Sequence, residues 1–404
     1  MNIPHVSAWN IYSNFSDGSL KCLKHAVSKV VKEYPLLNGI LVRPESKGSG
    51  GEPVVIYPSE RPSKKIFRVV ECSDVEAPEL FKSLDASPTT SEQWETTQKA
   101  AREELEPVVQ KYSLQPPAMD ESTPLFQVVV GKLPDNRAWV MIEVAHVLGD
   151  GASFYSITEA INNAMHDIEL PDLEFAVAEE NVAYSKHKSE QDKYNTLLGW
   201  LSASIEALNT RKQVITTCTV RKDVAKTCKI VQAAKSNVPF LSTNDILMAS
   251  FAEIYKDHEV MCMLVNMRGR EASAKINYIV NYERTVMFPS KCLLDNSAFV
   301  REKILGKNSK HSYEFYGTDE FPDLSKELFG SVTNWAGLTK MLYPPGATLD
   351  MHLPNSAFLA GMGIDFFIIW NPIEGVTSIM TNMCEESLQK NAKESDLFKQ
   401  IFGM

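Results

Sequence analysis

The feature that most restricts the fold is a block of strands, turns and a helix just before the midpoint of the chain. Two apolar, β-branched runs, PLFQVVVGKL and AWVMIEVAHV, flank the letters PDNR. Asp and Asn favour turns, so this pattern predicts an antiparallel hairpin. After the turn VAHVLGDGASF, Phe154, Ile157, Ile161 and Met165 recur at three- and four-residue steps. That periodicity predicts a helix beginning near Ala152.

The rest of the chain mixes helices with hairpin-linked strands in both halves. An amphipathic helix precedes Pro35, and the polar stretch 73–122 is interpreted as surface with one helix near 91–111. The second half adds the helix STNDILMASF and strands such as VMCMLVNM and IDFFIIW. This pattern predicts an α+β protein of two domains, each a mixed sheet flanked by helices. The predicted parts are an N-terminal domain (1–175), a crossover linker (176–213) and a C-terminal domain (214–404).

Charge and cysteine content exclude several functional classes. The 404 residues carry a net charge of −10 and no long basic run, which argues against nucleic acid as a partner. The seven cysteines are odd in number and never form C-x-x-C. We therefore expect reduced thiols rather than a disulfide framework or a zinc site, and no metal.

The N-terminal residues lack the pattern of a secretion signal, and apolar residues never run for 18 positions. These observations predict a cytoplasmic protein without a transmembrane segment.

His146 and Asp150 are the candidate chemical pair in the turn. Gly149 and Gly151 flank the aspartate, so the segment is a tight turn in which the two side chains need not point the same way. A neutral imidazole can remove a proton from a hydroxyl or amine as that group attacks a carbonyl. The competing interpretation is a histidine that merely packs at the end of a buried strand.

The segment HVLGDG resembles the HxxxDG motif of the coenzyme A-dependent acyltransferases of the BAHD type and of the wider chloramphenicol-acetyltransferase-like superfamily. LKHAVSKVVKEYPLLNGIL, STNDILMASF, VNMRGR, IVNYERTV and VTNWAGL are similar to further family segments, occur in the expected order and span nearly the whole chain. The resemblance implies two domains of this fold with the active site in a channel between them. The chain departs from plant-type members in lacking DFGWG, which indicates a divergent branch.

The resemblance implies catalytic roles for three residues. His146 would be the general base that activates the acceptor for attack on an acyl thioester. Asp150 would orient the turn by pairing with an arginine, with Arg268 the first choice and Arg270 the second. Thr333 would help to hold the oxyanion of the tetrahedral intermediate.

Supporting and cofactor-binding roles also follow from the resemblance. Trp335 would line the channel, and Ser242 would start a helix whose N–H groups can meet the phosphates of coenzyme A. Gly151 and Asn281 would be structural. We expect acyl-coenzyme A as a co-substrate and no permanently bound cofactor. The partners are this donor and a small-molecule acyl acceptor. The protein is expected to be a monomer.

Two alternatives remain open at the level of sequence. The same motif fits a wax-ester or glycerolipid-type acyltransferase, and it fits a condensation-like enzyme served by a carrier protein. A third hypothesis, from another class, is a catalytically silent member of the superfamily that acts as a binding scaffold.

Overall fold

The structure is a computed structural model that describes residues 5–42, 54–56, 66–114, 124–146, 148–175, 215–236, 238–255, 258, 260–266, 268–269, 275–279, 283–301, 313–315, 329–356, 365–383 and 385–403. Its strands are β1 (His5–Ser13), β2 (Ile40–Val42), β3 (Val54–Ile56), β4 (Phe67–Glu71), β5 (Phe126–Lys132), β6 (Ala138–Ala145), β7 (Glu174–Phe175), β8 (Thr216–Thr219), β9 (Val260–Asn266), β10 (Tyr278–Ile279), β11 (Glu283–Pro289), β12 (Tyr313–Phe315), β13 (Phe329–Asn334), β14 (Thr348–Pro354), β15 (Asp365–Trp370) and β16 (Ser378–Thr381). Its helices are α1 (Asp17–Glu33), α2 (Pro78–Asp85), α3 (Ser91–Ala100), α4 (Glu106–Gln110), α5 (Gly151–Met165), α6 (Lys222–Ala233), α7 (Thr243–Ile254), α8 (Ser290–Asp295), α9 (Glu385–Lys393) and α10 (Asp396–Phe402), with a 3-10 turn at Pro35–Asn38 and a π-helical turn at Ala101–Leu105.

The N-terminal sheet has the strand order β14-β1-β6-β5-β4. Its centre is the predicted hairpin, in which β5 and β6 pair antiparallel and are joined by Asp135 and Asn136, both at positive φ. Such left-handed turn residues match the twist of the flanking strands. Opposite Trp139 in the register stands Gly131, where a Cβ would come within 2.0 Å of the indole ring. The hairpin predicted from sequence is confirmed.

The C-terminal sheet has the order β12-β11-β9-β13-β15-β16-β8. Strands β9, β13 and β15 run parallel at its centre, and antiparallel strands flank them. Side chains on one face of this sheet, among them Cys262 and Phe366, join the core of the N-terminal half. Those on the other face, among them Val332 and Phe367, pack with α7, α9 and α10. The predicted α+β architecture with two mixed sheets is confirmed.

Strand β14 crosses from the second half of the chain into the N-terminal sheet, where it pairs antiparallel with β1. Its last four residues are buried, because they cover the edge that β1 would otherwise expose. The predicted division counts these residues with the C-terminal domain, although they pair with a strand of the N-terminal sheet. The boundaries at 175 and 214 stay a proposal, since the predicted linker 176–213 lies outside the described residues.

The sequence of α1 contains local signals that begin and end a helix. Ser16 and Ser19 form a reciprocal capping box at its start, and Val27 and Val30 lie on the buried face. The helix packs against α5 and ends before Pro35. None of the helices in the described part of the chain is long and apolar enough to cross a membrane.

The stretch 73–122 differs from its prediction. It contains α2 in addition to the expected helix, and that expected helix is interrupted by the π-helical turn before α4. Trp94 and Gln98 are buried rather than exposed, because α3 packs on β8. Gln98 Nε2 donates to the hydroxyls of Thr219 and Ser378, each at 3.0 Å. Most described polar residues of this stretch are exposed or half-buried, as predicted, but Gln98 forms buried hydrogen bonds to the second half.

One buried ion pair, Arg102–Glu106, also lies between the two halves of the chain. Arg102 Nη1 donates to both carboxylate oxygens of Glu106, at 2.8 and 2.9 Å, and also to the Pro354 carbonyl at 3.1 Å. Its Nε donates to Thr217 Oγ1 at 3.3 Å, while the Ser356 N–H donates to Glu106 at 2.8 Å. We call these five residues the helix joint, because they tie the helices of the first half to segments of the second.

Candidate active site

His146 is the first residue after β6 and lies half-buried in the turn that leads to α5. The Leu148 N–H donates to the Ala145 carbonyl at 2.8 Å and closes this turn. Asp150 then caps α5: its backbone is extended, and Oδ1 accepts a hydrogen bond from the Ser153 N–H at 2.9 Å. The strand, histidine-containing turn and helix thus follow one another as the sequence predicted.

Asp150 turns its second carboxylate oxygen to Arg268. Arg268 Nη1 donates to Asp150 Oδ2 at 2.8 Å, and the Asp150 and Arg268 side chains are only 0% and 4% exposed. The guanidinium also donates through Nη2 to Ser153 Oγ at 2.9 Å and through Nη1 to Asn266 Oδ1 at 3.1 Å. We call Asp150, Ser153, Asn266 and Arg268 the site joint, because it fastens the start of α5 to the end of β9.

The site joint is well satisfied for a buried ion pair. Arg268 Nε donates to the Tyr278 carbonyl at 2.7 Å, so every guanidinium nitrogen has a partner. Such additional hydrogen bonds are what allow a buried pair to offset its desolvation cost. Ser153 and Asn266 were not predicted as site residues from the sequence. Ser153 is the third residue after the capping Asp150, a position at which a helix start predicts a hydrogen bond to the cap.

Gly151 and Trp335 are in direct contact. A Cβ at Gly151 would come within 2.8 Å of the Trp335 Nε1 atom, so only glycine leaves room for the indole. Trp335 is buried, and its ring meets that of Tyr155 edge to face at 6.1 Å. Thr333 precedes it by two residues and is also buried. Because side chains alternate along a strand, Thr333 points away from its neighbour Val332, which packs in the second core.

A buried histidine supports Tyr155 from the N-terminal sheet. The Tyr155 hydroxyl donates to His352 Nε2 at 3.0 Å, and His352 Nδ1 donates to Asn10 Oδ1 at 2.9 Å. Both ring nitrogens are therefore used, which fixes one neutral tautomer. Burial lowers the pKa of His352 to about 3, so this imidazole stays neutral. Sequence reasoning did not select His352, because nothing near it in the chain marks a site.

Comparison with known proteins identifies the fold of this chain. No family model matches the chain, and no curated protein matches it. Among solved structures, F. sporotrichioides TRI101 complexed with coenzyme A and T-2 is similar at 12% identity and a TM-score of 0.62, covering 99% of this chain and 95% of that one. The first condensation domain of the calcium-dependent antibiotic synthetase, in complex with a substrate analogue, matches at 12% identity and a TM-score of 0.62, over 99% and 90% of the two chains.

F. graminearum TRI101 complexed with coenzyme A and deoxynivalenol matches at 10% identity and a TM-score of 0.59, over 99% and 96% of the chains. The chain has the chloramphenicol-acetyltransferase-like fold. At these identities the similarity establishes the fold, and the expectation of that fold from the sequence is confirmed.

Within the chloramphenicol-acetyltransferase-like fold, Ser242 begins α7. Its Oγ accepts from the Asp245 N–H at 3.2 Å, and Asp245 Oδ2 accepts from the Ser242 N–H at 2.7 Å. This reciprocal cap uses the serine hydroxyl within the protein. Asn334 donates through Nδ2 to Asn244 Oδ1 at 3.0 Å. The end of β13 is thereby linked to the first turn of α7.

Two sequence-predicted site residues, Arg270 and Asn281, lie outside the described residues. The structure brings together His146, Asp150, Gly151, Arg268 and Trp335 around the start of α5.

Proposed function

We propose that the protein transfers an acyl group from acyl-coenzyme A to a hydroxyl or amine of a small-molecule acceptor, with His146 as the general base. The observation that carries the proposal is the site joint. In it both carboxylate oxygens of Asp150 are bound, to Arg268 and to the Ser153 N–H, which supports a role for Asp150 in holding the turn that carries His146. The proposal is further supported by the fold, since F. sporotrichioides TRI101 has a known complex with coenzyme A.

The chemistry needs only this chain and its two substrates. The acceptor oxygen or nitrogen attacks the thioester carbonyl while His146 takes its proton. The tetrahedral intermediate then collapses, the carbon–sulfur bond breaks, and the proton passes from His146 to the departing thiolate. One acyl-coenzyme A and one acceptor give one ester or amide and free coenzyme A. No covalent acyl-enzyme forms in this sequence.

Supporting roles follow for the surrounding residues. Thr333 would donate to the oxyanion, where a donor aimed at developing charge contributes about 3 kcal/mol to catalysis. Trp335 would form a wall of the channel beside the start of α5, a role consistent with its contact with Gly151. The N-terminus of α7, capped by Ser242, would favour the phosphates of coenzyme A through the positive end of the helix dipole. Since these residues all belong to one chain, we propose that a monomer is sufficient for activity.

A condensation-type reaction on a carrier-bound thioester is the second candidate. It is favoured by the match to the antibiotic synthetase condensation domain, whose TM-score equals that of F. sporotrichioides TRI101. The two candidates share the base and differ in what delivers the thioester. Faster turnover with a carrier-bound acyl group than with the matching acyl-coenzyme A would favour condensation. A marked preference for long-chain donors would instead favour a wax-ester or glycerolipid acceptor.

Release of free thiol from acyl-coenzyme A tests the primary proposal. The assay compares the wild type with His146→Ala, using acetyl-, hexanoyl- and palmitoyl-coenzyme A against a panel of alcohols and amines. We expect acceptor-dependent release to fall by a factor of about 10² to 10⁴ in the variant. His166→Ala is the matched control, because His166 lies just beyond the other end of α5 and bonds the Tyr343 carbonyl there. Acceptor-dependent release that survives in His146→Ala would remove His146 from the role of base.

A further inference from the structure

A row of buried polar side chains lies on one face of the N-terminal sheet, next to His146. In the register of β1 and β6, His5 stands opposite Ala145, and Ser7 stands opposite Glu143. Because side chains alternate along a strand, these four side chains point to the same face. His5, Ser7 and Glu143 are all buried. Most buried polar groups have a hydrogen-bond partner, so each one that has none calls for an explanation.

The inner end of the row is fully satisfied. Glu143 Oε2 accepts hydrogen bonds from the Leu114 N–H at 2.7 Å and from Gln127 Nε2 at 2.5 Å. Gln127 Nε2 also donates to the Tyr112 carbonyl at 2.8 Å. Burial raises the pKa of Glu143 to about 7, although its donors act in the opposite direction. This end of the row needs no further partner.

The outer end differs. His5 is 8% exposed, and its Nε2 atom is buried without a hydrogen-bond partner in the part of the chain that the structure describes. Burial first, and then the nearby imidazole of His146, lower the pKa of His5 to about 4. The ring is therefore neutral near pH 7. A neutral imidazole has one donor and one acceptor nitrogen, so Nε2 can serve as either, depending on the tautomer.

The position of His5 relative to the base is set by the strand pairing. His5 and Ala145 are direct cross-strand partners, a relationship that places their Cα atoms about 5 Å apart. His146 is the next residue along the chain. The imidazole of His5 therefore lies at the end of β1 beside the turn that carries His146, and its Nε2 is a buried nitrogen without a hydrogen-bond partner among the described residues. Among ligand groups, a hydroxyl matches this nitrogen in either tautomer, since it both donates and accepts.

We propose that His5 Nε2 binds a second hydroxyl of the acyl acceptor, so that the site prefers vicinal diols over simple alcohols. This inference rests on the proposed acyl transfer, with His146 acting on the hydroxyl that is acylated and His5 holding its neighbour. His5 is then a specificity-determining contact residue, and His146 alone moves the proton.

A pair of matched acceptors tests the preference. The ratio of kcat/KM for trans-cyclohexane-1,2-diol over cyclohexanol, with acetyl-coenzyme A as donor, is measured for the wild type, His5→Phe and His5→Asn. We expect a wild-type ratio on the order of tenfold, which is the size of one neutral hydrogen bond. The ratio falls to about one in His5→Phe and is partly restored in His5→Asn. His25→Phe, at an exposed position of α1, controls for the substitution itself, and circular dichroism checks folding. A ratio that is unchanged in His5→Phe overturns the proposal.

A binding measurement separates this inference from the proposed function. Ring ¹⁵N resonances of histidine are recorded on the full-length protein, and the Nε2 signal of His5 is assigned by its loss in His5→Phe. We expect the diol to shift this signal and cyclohexanol to leave it in place, whether or not acyl transfer occurs. A protein that shows the shift without thiol release would retain the His5 contact and refute acyl transfer from coenzyme A. A His5 signal unmoved by saturating diol refutes the contact.

Discussion

The site joint and the helix joint are both buried arginine–carboxylate pairs that tie the first half of the chain to the second. In the site joint, Arg268 of the second half reaches Asp150 of the first across 118 positions. In the helix joint, Arg102 and Glu106 are one helical turn apart and together bind backbone and hydroxyl groups of the second half. The first holds the turn that carries His146. The second holds the helical segment 101–110 against β8 and the end of β14.

The difference teaches that burial of an ion pair does not identify a functional site. Both pairs are nearly inaccessible to solvent, and both carry hydrogen bonds beyond the pair itself. What separates them is what they hold: one holds the turn with the half-buried His146, and the other holds helices against strands. Substitutions in the site joint should therefore lower both stability and activity, whereas substitutions in the helix joint should lower stability alone.

The largest effect is expected from Arg268→Met, which leaves Asp150 buried without its cation. Loss of one partner of a buried pair costs about 3–5 kcal/mol of unfolding free energy. Acyl transfer should also be lost, because the turn carrying His146 is released. Urea denaturation and thiol release measure the two effects. Adding Asp150→Asn should recover part of the stability and none of the rate. A stable Arg268→Met with normal turnover would show that the site joint does not position the base.

Arg102→Met should match that loss of stability, about 3–5 kcal/mol, because Glu106 is left buried and charged. Turnover per folded molecule should stay within about twofold of the wild type, a size comparable to ordinary surface substitutions of ±0.5 kcal/mol. The rate is measured at low temperature, where the variant is still folded, and is normalised to the folded fraction. A large fall in kcat at full folding would mean that the helix joint also shapes the site.

Gly151→Ala probes the packing beside the site joint and is expected to have a smaller effect. The added methyl group would stand 2.8 Å from Trp335 Nε1, and such overpacking costs about 1–3 kcal/mol. The indole must move, so we expect the KM for substrate to rise and the melting temperature to fall. The control is Gly337→Ala, where the added atom meets nothing within 4 Å. Equal behaviour of the two alanine variants would argue against a Trp335 wall.

The sequence predicted the parts of this site that are encoded locally. The hairpin follows from turn residues at Asp135 and Asn136, and His146 and Asp150 belong to one short motif. The pairing of Asp150 with Arg268 came from a family resemblance, with Arg270 still open. The helix joint was missed, because Arg102 and Glu106 lie in a polar helix whose partners, Thr217 and Ser356, are more than 100 positions away.

Long-range pairing also explains the other omissions. Strand β14 meets β1 across more than 330 positions, and no local pattern states which edge a strand will cover. The same holds for His352 and His5, which are ordinary strand residues until the register places one beside Asn10 and the other opposite Ala145. Burial decided which polar residues mattered, and burial is a property of the assembled sheets.

In the proposed reaction His146 moves the proton, while Asp150 only holds the turn. The direct measurement is kcat/KM against pH for the wild type and Asp150→Asn. Asparagine can still cap α5 but cannot pair with Arg268 as a charge. We predict a rate lower by a factor of about 10–100, as expected for a misplaced base, with the pH of half-maximal rate unchanged. A displaced midpoint, or the loss of a titrating limb, would contradict the account by making Asp150 part of the acid–base chemistry.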